Sequence, residues 1–124
     1  MKIKQTILIL LAMCITACSA IPSFYDDNES KAAVDVIVAI DNLNCRSNDV
    51  NDQLQNIIKK TMWLKTYSLL KGSDDVVELV ETLQQSLAGL NSQAPIIRVN
   101  YCKLKRESLI KQSETVAKAI LGRY

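Results

Sequence analysis

The chain has 124 residues, 15 of them basic and 13 acidic, with no histidine and only three glycines. Hydrophobic residues make up 48% and charged residues 23%, which describes one domain with a modest core. This composition excludes several classes of function. The commonest general base and metal ligand is missing, and Gly72, Gly89 and Gly122 cannot build a glycine-rich phosphate loop. Zinc would have to use cysteines and carboxylates without the usual ligand spacing. Asp26-Asp27 and Asp74-Asp75 are paired acids better explained by a tether and a helix start. No serine–lysine pair stands out among many candidates. No catalytic residue, metal ligand or cofactor site is assigned, and the expectation is a protein that is not an enzyme.

Lys2 and Lys4 lead into an almost unbroken apolar run, Ile7 to Ile15, followed by small residues and a cysteine. A charged lead, an apolar core of about 7–15 residues and a small-residue exit make a secretory signal; a spanning helix needs about 20 residues. The exit Ile15-Thr16-Ala17-Cys18 resembles the lipobox of bacterial lipoproteins. That resemblance implies cleavage before Cys18 and lipidation of its thiol and new amino group. Ser19, in place of Asp, resembles the outer-membrane sorting pattern of enteric-type bacteria. Ordinary cleavage after Ala20 is the alternative. Removing residues 1–17 of the 124 leaves 107, and losing Lys2 and Lys4 takes the balance to 13 basic and 13 acidic residues. A neutral chain without a basic cluster has no electrostatic footprint for nucleic acid. It also lacks a polybasic patch, so attachment to a membrane would come from acyl chains. Residues 18–28, polar and containing Pro22, read as a flexible tether, and 29–124 as a helical domain.

From Glu29 to about Asn44 the pattern is helical, with Ala33, Val36, Ile37, Ile40 and Leu43 at steps of three and four. Val34, Val38 and Ala39 extend the apolar surface beyond one stripe. A buried strand competes, since valine and isoleucine suit strands, but the length favours a helix. Such a helix is either packed on several sides or left partly open for a partner. Arg46 to Asp49 then supplies cap candidates. A second helix follows, with Val50, Leu54, Ile57, Thr61, Leu64 and Ser68 on one face. Ile58, Met62 and Leu69 lie beside that face, and Lys59, Lys60 and Lys65 lie largely opposite. Trp63 and Tyr67, four apart, neighbour each other. Trp63 is either the edge of the core or the wall of a partner groove. Gly72 ends the helix, because glycine accepts the left-handed conformation there.

Ser73-Asp74-Asp75 restarts the chain as a cap with acidic first-turn residues. Val76, Leu79 (or Val80), Leu83, Leu87 and Leu90 form the cleanest apolar stripe, and Pro95 lies beyond its end. Ile96 to Val99 reads as an extended lead-in to a last helix, about Asn100 to Leu121. Its seam is Cys102, Leu109, Ser113, Val116 and Ile120, with Ala117 and Leu121 beside it. Lys103, Lys105, Arg106, Lys111 and Lys118 make this helix basic, while residues 26–52 carry seven acids against two bases. First and last elements should attract, weakly for each exposed pair. The expected architecture is all-α: a small antiparallel four-helix bundle closed by one disulfide.

Cys14 leaves with the signal and Cys18 would take the lipid, leaving Cys45 and Cys102. Two cysteines in an exported chain ordinarily bond to each other. Their bond would tie the end of the first helix to the start of the last. A mixed disulfide with a partner and free thiols are the alternatives.

The succession of lipobox, helix, Cys45, polar turn, a helix bearing Trp63, an amphipathic helix, Pro95, Cys102 and a final helix resembles the pilotins of type II secretion, the PulS/OutS family. The resemblance runs from about Ala32 to Leu121. Cys45 and Cys102 match the family's disulfide pair, and Leu43-Asn44-Cys45-Arg46-Ser47 looks like its first cysteine segment. The chain departs from the family at Asp49-Val50, where Leu-Pro is usual, at Met62-Trp63-Leu64, which sits inside an apolar run, and at Asn100-Tyr101. The resemblance implies a lipid-anchored carrier on the periplasmic face of the outer membrane. It would bind the C-terminal segment of a secretin subunit as a helix in an apolar groove, and be delivered by the lipoprotein sorting machinery. The candidate groove residues are Val34, Ile37 and Val38, with Leu83 and Leu87 across from them. A periplasmic immunity or inhibitor lipoprotein acting on a toxin or lysozyme, and a surface-exclusion lipoprotein, are the alternative readings.

Overall fold

A computed structural model describes residues 25–123. The expected signal segment 1–17, the expected lipidation site Cys18 and residues 19–24 of the expected tether lie outside the described residues. Four helices follow: α1 (Asp27–Asp41), α2 (Val50–Lys71), α3 (Asp74–Asn91) and α4 (Val99–Leu121). Each packs on its neighbours in sequence, and α4 returns to pack on α1, which closes the ring. In such an up-down bundle α1 and α3 are diagonal partners, separated by the core. No helix among the described residues is long and apolar enough to cross a membrane.

The seams are those that helical spacing dictates. On α2 the buried residues are Val50, Leu54, Ile57, Thr61, Leu64 and Ser68, the face read from the sequence. On α3 they are Val76, Val77, Val80, Leu83, Leu87 and Leu90, so Val80, and not Leu79, holds the second position. On α4 the expected seam is buried together with Ala117, while Leu121 is exposed. Gly72 takes φ +81° and ends α2, its N–H bonding the Leu69 carbonyl. The left-handed region is open to glycine because it has no Cβ.

Two boundaries differ from expectation. The first helix begins at Asp27, inside the stretch read as tether. Asp26 is its N-cap, with Oδ1 accepting from the Asn28 and Glu29 N–H groups at 2.7 and 3.3 Å. The extended lead-in at Ile96–Val99 is shorter than expected: the turn at 92–95, with a cis Ala94–Pro95 peptide, is followed by a bend at Ile96, Ile97 is buried, Arg98 is extended, and α4 already starts at Val99. Ser73 also departs from its expected role. It precedes α3, but its side chain makes no capping bond; its hydroxyl is buried and accepts from Arg123.

The bundle is pinned at both ends. At one end Cys45 and Cys102 form a disulfide, with Cα atoms 5.7 Å apart, and Arg106 donates to the Leu43 carbonyl at 3.1 Å. At the other end Glu29, fully buried, accepts from Ser68 Oγ (3.0 Å), Lys71 Nζ (3.3 Å) and Arg123 Nη1 (2.9 Å). Arg123 also reaches Ser73 and Asp75. A carboxylate in a core is tolerable only when its oxygens are bonded and its charge is paired, and here both conditions hold. Among the described residues, the charge attraction expected between first and last elements is carried by Arg123, just beyond α4, on Glu29, while Arg106 on α4 adds a hydrogen bond to a backbone carbonyl and the lysines of α4 form no ion pair with α1.

Candidate functional site

Between α1 and α2 the surface is not closed. Two contiguous depressions, sharing Asp35 and Lys60, run along this seam with volumes of about 400 and 470 Å³. The first has Ala32 as its floor and Trp63 as its wall, with Lys31, Lys59 and Lys60 at its margin. The second is lined by Val38 and Ala39 and by the polar groups of Asn42, Asn44, Asp49, Gln53 and Asn56. On α1 the lining spans Asn28 to Asn42, which at 1.5 Å per residue is a trough of about 20 Å. It therefore has an apolar, lysine-edged end and a polar, aspartate-bearing end.

The wall residue is held firmly. The Trp63 and Tyr67 rings stack at 5.1 Å with their planes 11° apart, and the Tyr67 hydroxyl donates to Asp26 Oδ2 at 2.8 Å. The chain thus joins tether, first helix and Trp63 in one short relay. The Tyr67 bond is the main reason the Asp26 carboxyl lies below its ordinary range, and the same bond raises the Tyr67 hydroxyl. At the polar end, bonds from the Ser47 hydroxyl and then the Gln53 amide hold Asp49 low. Gln53 also accepts from the Asn44 N–H at 2.9 Å, tying the loop after α1 onto α2.

The five residues anticipated as groove-lining are not brought together. Val38 is half-exposed and lines the trough. Val34 is exposed on α1 outside it, and Ile37 is partly buried against the core. Leu83 and Leu87 are corrections: both are sealed in the core, because the α3 stripe that carries them faces the bundle axis and α3 lies diagonal to α1. Trp63, weighed as core edge or groove wall, is 54% exposed and forms the wall. Sequence reasoning missed the buried Glu29–Arg123 pair and the lysine margin. Glu29 carried a readable signal, since it lies one turn before Ala32 and Ala33 on the same face.

Among the described residues no group of three or more potential metal-binding side chains occurs. Neither a protein-family model nor a curated protein nor a solved structure matches this chain.

Proposed function

We propose that this chain is a lipid-anchored pilotin of the PulS/OutS kind. It holds the C-terminal segment of a secretin subunit in the trough between α1 and α2, while acyl chains on Cys18 carry the pair to the outer membrane for assembly. The observation that supports this reading is the trough itself, about 20 Å long, apolar at the end bounded by Ala32 and Trp63 and polar at the other, where Val38 and Ala39 add aliphatic surface. A disordered segment that becomes helical sets a few apolar side chains into such a groove, and Ala32, Trp63, Val38 and Ala39 offer contacts for them along its length while the polar groups between can bond its backbone or polar side chains. The uneven charge adds a direction. A helix lying in the trough is favoured with its negative C-terminal pole toward Lys31, Lys59 and Lys60 and its N-terminal pole toward Asp49.

The test is a titration of the mature chain carrying Cys18→Ser with a synthetic secretin C-terminal peptide, followed by calorimetry and far-ultraviolet circular dichroism. The expected result is binding with a gain of helix, weakened about tenfold or more by Val38→Glu. Absence of binding overturns the reading.

A further inference from the structure

The second half of α2 carries an apolar surface that neither the core nor the trough accounts for. Leu70 is 86% exposed, Met62 56% and Leu69 53%, and Trp63 extends the same surface. These positions form two adjacent pairs set two turns apart, with Leu69 seven after Met62 and Leu70 seven after Trp63, so they lie together on one side of the helix, opposite the buried Thr61, Leu64 and Ser68. Lys59 lies one turn earlier on that side and Lys60 beside it; neither is ion-paired among the described residues.

The location narrows what can cover this surface. The described chain enters at Tyr25, and Asp26 is bonded to Tyr67, the stacking partner of Trp63. Tyr25 lies seven positions after Cys18, a span of no more than about 25 Å at full extension. An acylated Cys18, on which this part of the argument rests, keeps that end of the bundle close to the headgroups. Stacked tryptophan and tyrosine, exposed leucines and adjacent lysines are the side chains that settle at a lipid–water boundary. There the rings and alkyl groups enter the acyl margin while the ammonium groups remain among phosphates.

We propose that the face of α2 formed by Met62, Trp63, Leu69 and Leu70 seats the domain on the surface of an anionic phospholipid bilayer. It acts as a second attachment beside the acyl anchor and fixes how the bundle stands on the membrane. Lipid anchoring is strengthened when a second signal accompanies the acyl chain, and an apolar face with flanking cations is such a signal. The trough then opens beside the bilayer, since Trp63 borders both surfaces.

Trp63 is the chain's one tryptophan, so with no peptide in the trough its emission reports on lipid meeting this surface. The mature chain carrying Cys18→Ser, free of acyl chains, is mixed with vesicles of phosphatidylethanolamine containing a minority of phosphatidylglycerol. The expected result is a blue shift, quenching by lipids brominated near the headgroup end of their acyl chains, and loss of both in the double variant Leu69→Ser/Leu70→Ser. Both leucines are on the surface, and circular dichroism verifies that the double variant remains helical. No shift on such vesicles overturns the proposal, as does quenching that survives the double substitution. A shift that grows with protein concentration in the absence of lipid assigns the face to a second copy of the chain and also overturns it. Leu69 and Leu70 do not line the trough, so peptide binding in the double variant stays at the parent level. Loss of vesicle binding with peptide binding intact, or the reverse, therefore separates failure of this proposal from failure of the carrier reading.

Discussion

Arg123 Nη1 donates to Glu29 Oε1 at 2.9 Å, joining the first turn of the first helix to a residue 94 positions later. The carboxylate is fully buried and the guanidinium nearly so. Removing one member of such a pair leaves the other desolvated. Glu29→Ala should therefore lower unfolding free energy by about 3 kcal/mol. Arg123→Ala should cost less, about 1–2 kcal/mol, because Ser68 and Lys71 still serve the carboxylate. Urea unfolding of the two variants measures this order, and equal losses would refute it.

Cys45 and Cys102 close a loop of 57 residues. On the chain-entropy account, replacing both with serine lowers stability by about 4 kcal/mol. Thermal unfolding with and without reductant should show the parent falling to the level of the double variant. A parent insensitive to complete reduction would contradict this.

Val38 and Leu83 were both anticipated at a binding surface, and the structure separates their roles. Val38→Ser, at a half-exposed site, should leave stability within about 0.5 kcal/mol of the parent. Leu83→Ala, in the core, should cost about 2–5 kcal/mol. Similar midpoints in denaturant for the two would mean that the core assignment is wrong.

The Asp26–Tyr67 bond sets limits at both ends of the pH scale. The folded Asp26 carboxyl titrates below its ordinary value of 3.8, so its contribution is complete above that pH and is lost as pH falls through the folded value. Folded Tyr67 titrates above its ordinary 10.0, so its contribution is complete below pH 10.0 and is lost as pH rises through the folded value. The stability advantage of the parent over Tyr67→Phe should be flat between these limits and shrink beyond each. Melting temperatures of the pair that stay parallel from acid to alkali would exclude this bond as the cause.

Gly72 gives a purely backbone test. Nothing lies within 4 Å of a Cβ added there, yet φ is +81°. Gly72→Ala should therefore cost about 1–2 kcal/mol from conformation alone, read as a lower midpoint in denaturant with an unchanged slope.

Most of the fold was legible because the signal was periodic. The α2 face from Val50 to Ser68 and the α4 seam from Cys102 to Ile120 follow from spacing, polar members included, since Thr61, Ser68 and Ser113 sit at core positions and bond locally or to Glu29. Glu29 obeys the same spacing, but its acidic character disguised it. What made an acid tolerable there was Arg123, which stands beyond Gly122 and belongs to no pattern. The site was less legible because exposure depends on which helices adjoin. Val34 and Val38 signalled surplus aliphatic surface on α1, but pairing them with Leu83 and Leu87 required a contact between diagonal helices. Short connections favour packing between successive helices, and that places the opening beside Trp63 instead.

The pinning of the N-terminal turn also has a mechanical side. A pull on the chain ahead of Tyr25 enters the domain at Asp26 and Glu29, whose bonds reach α2 through Tyr67, Ser68 and Lys71. Arg123 passes the load on to the residues at the head of α3 and to the tail of α4. Traction is therefore shared by all four helices within the first turn, so α1 is not peeled away by itself and the trough beside it keeps its shape under load.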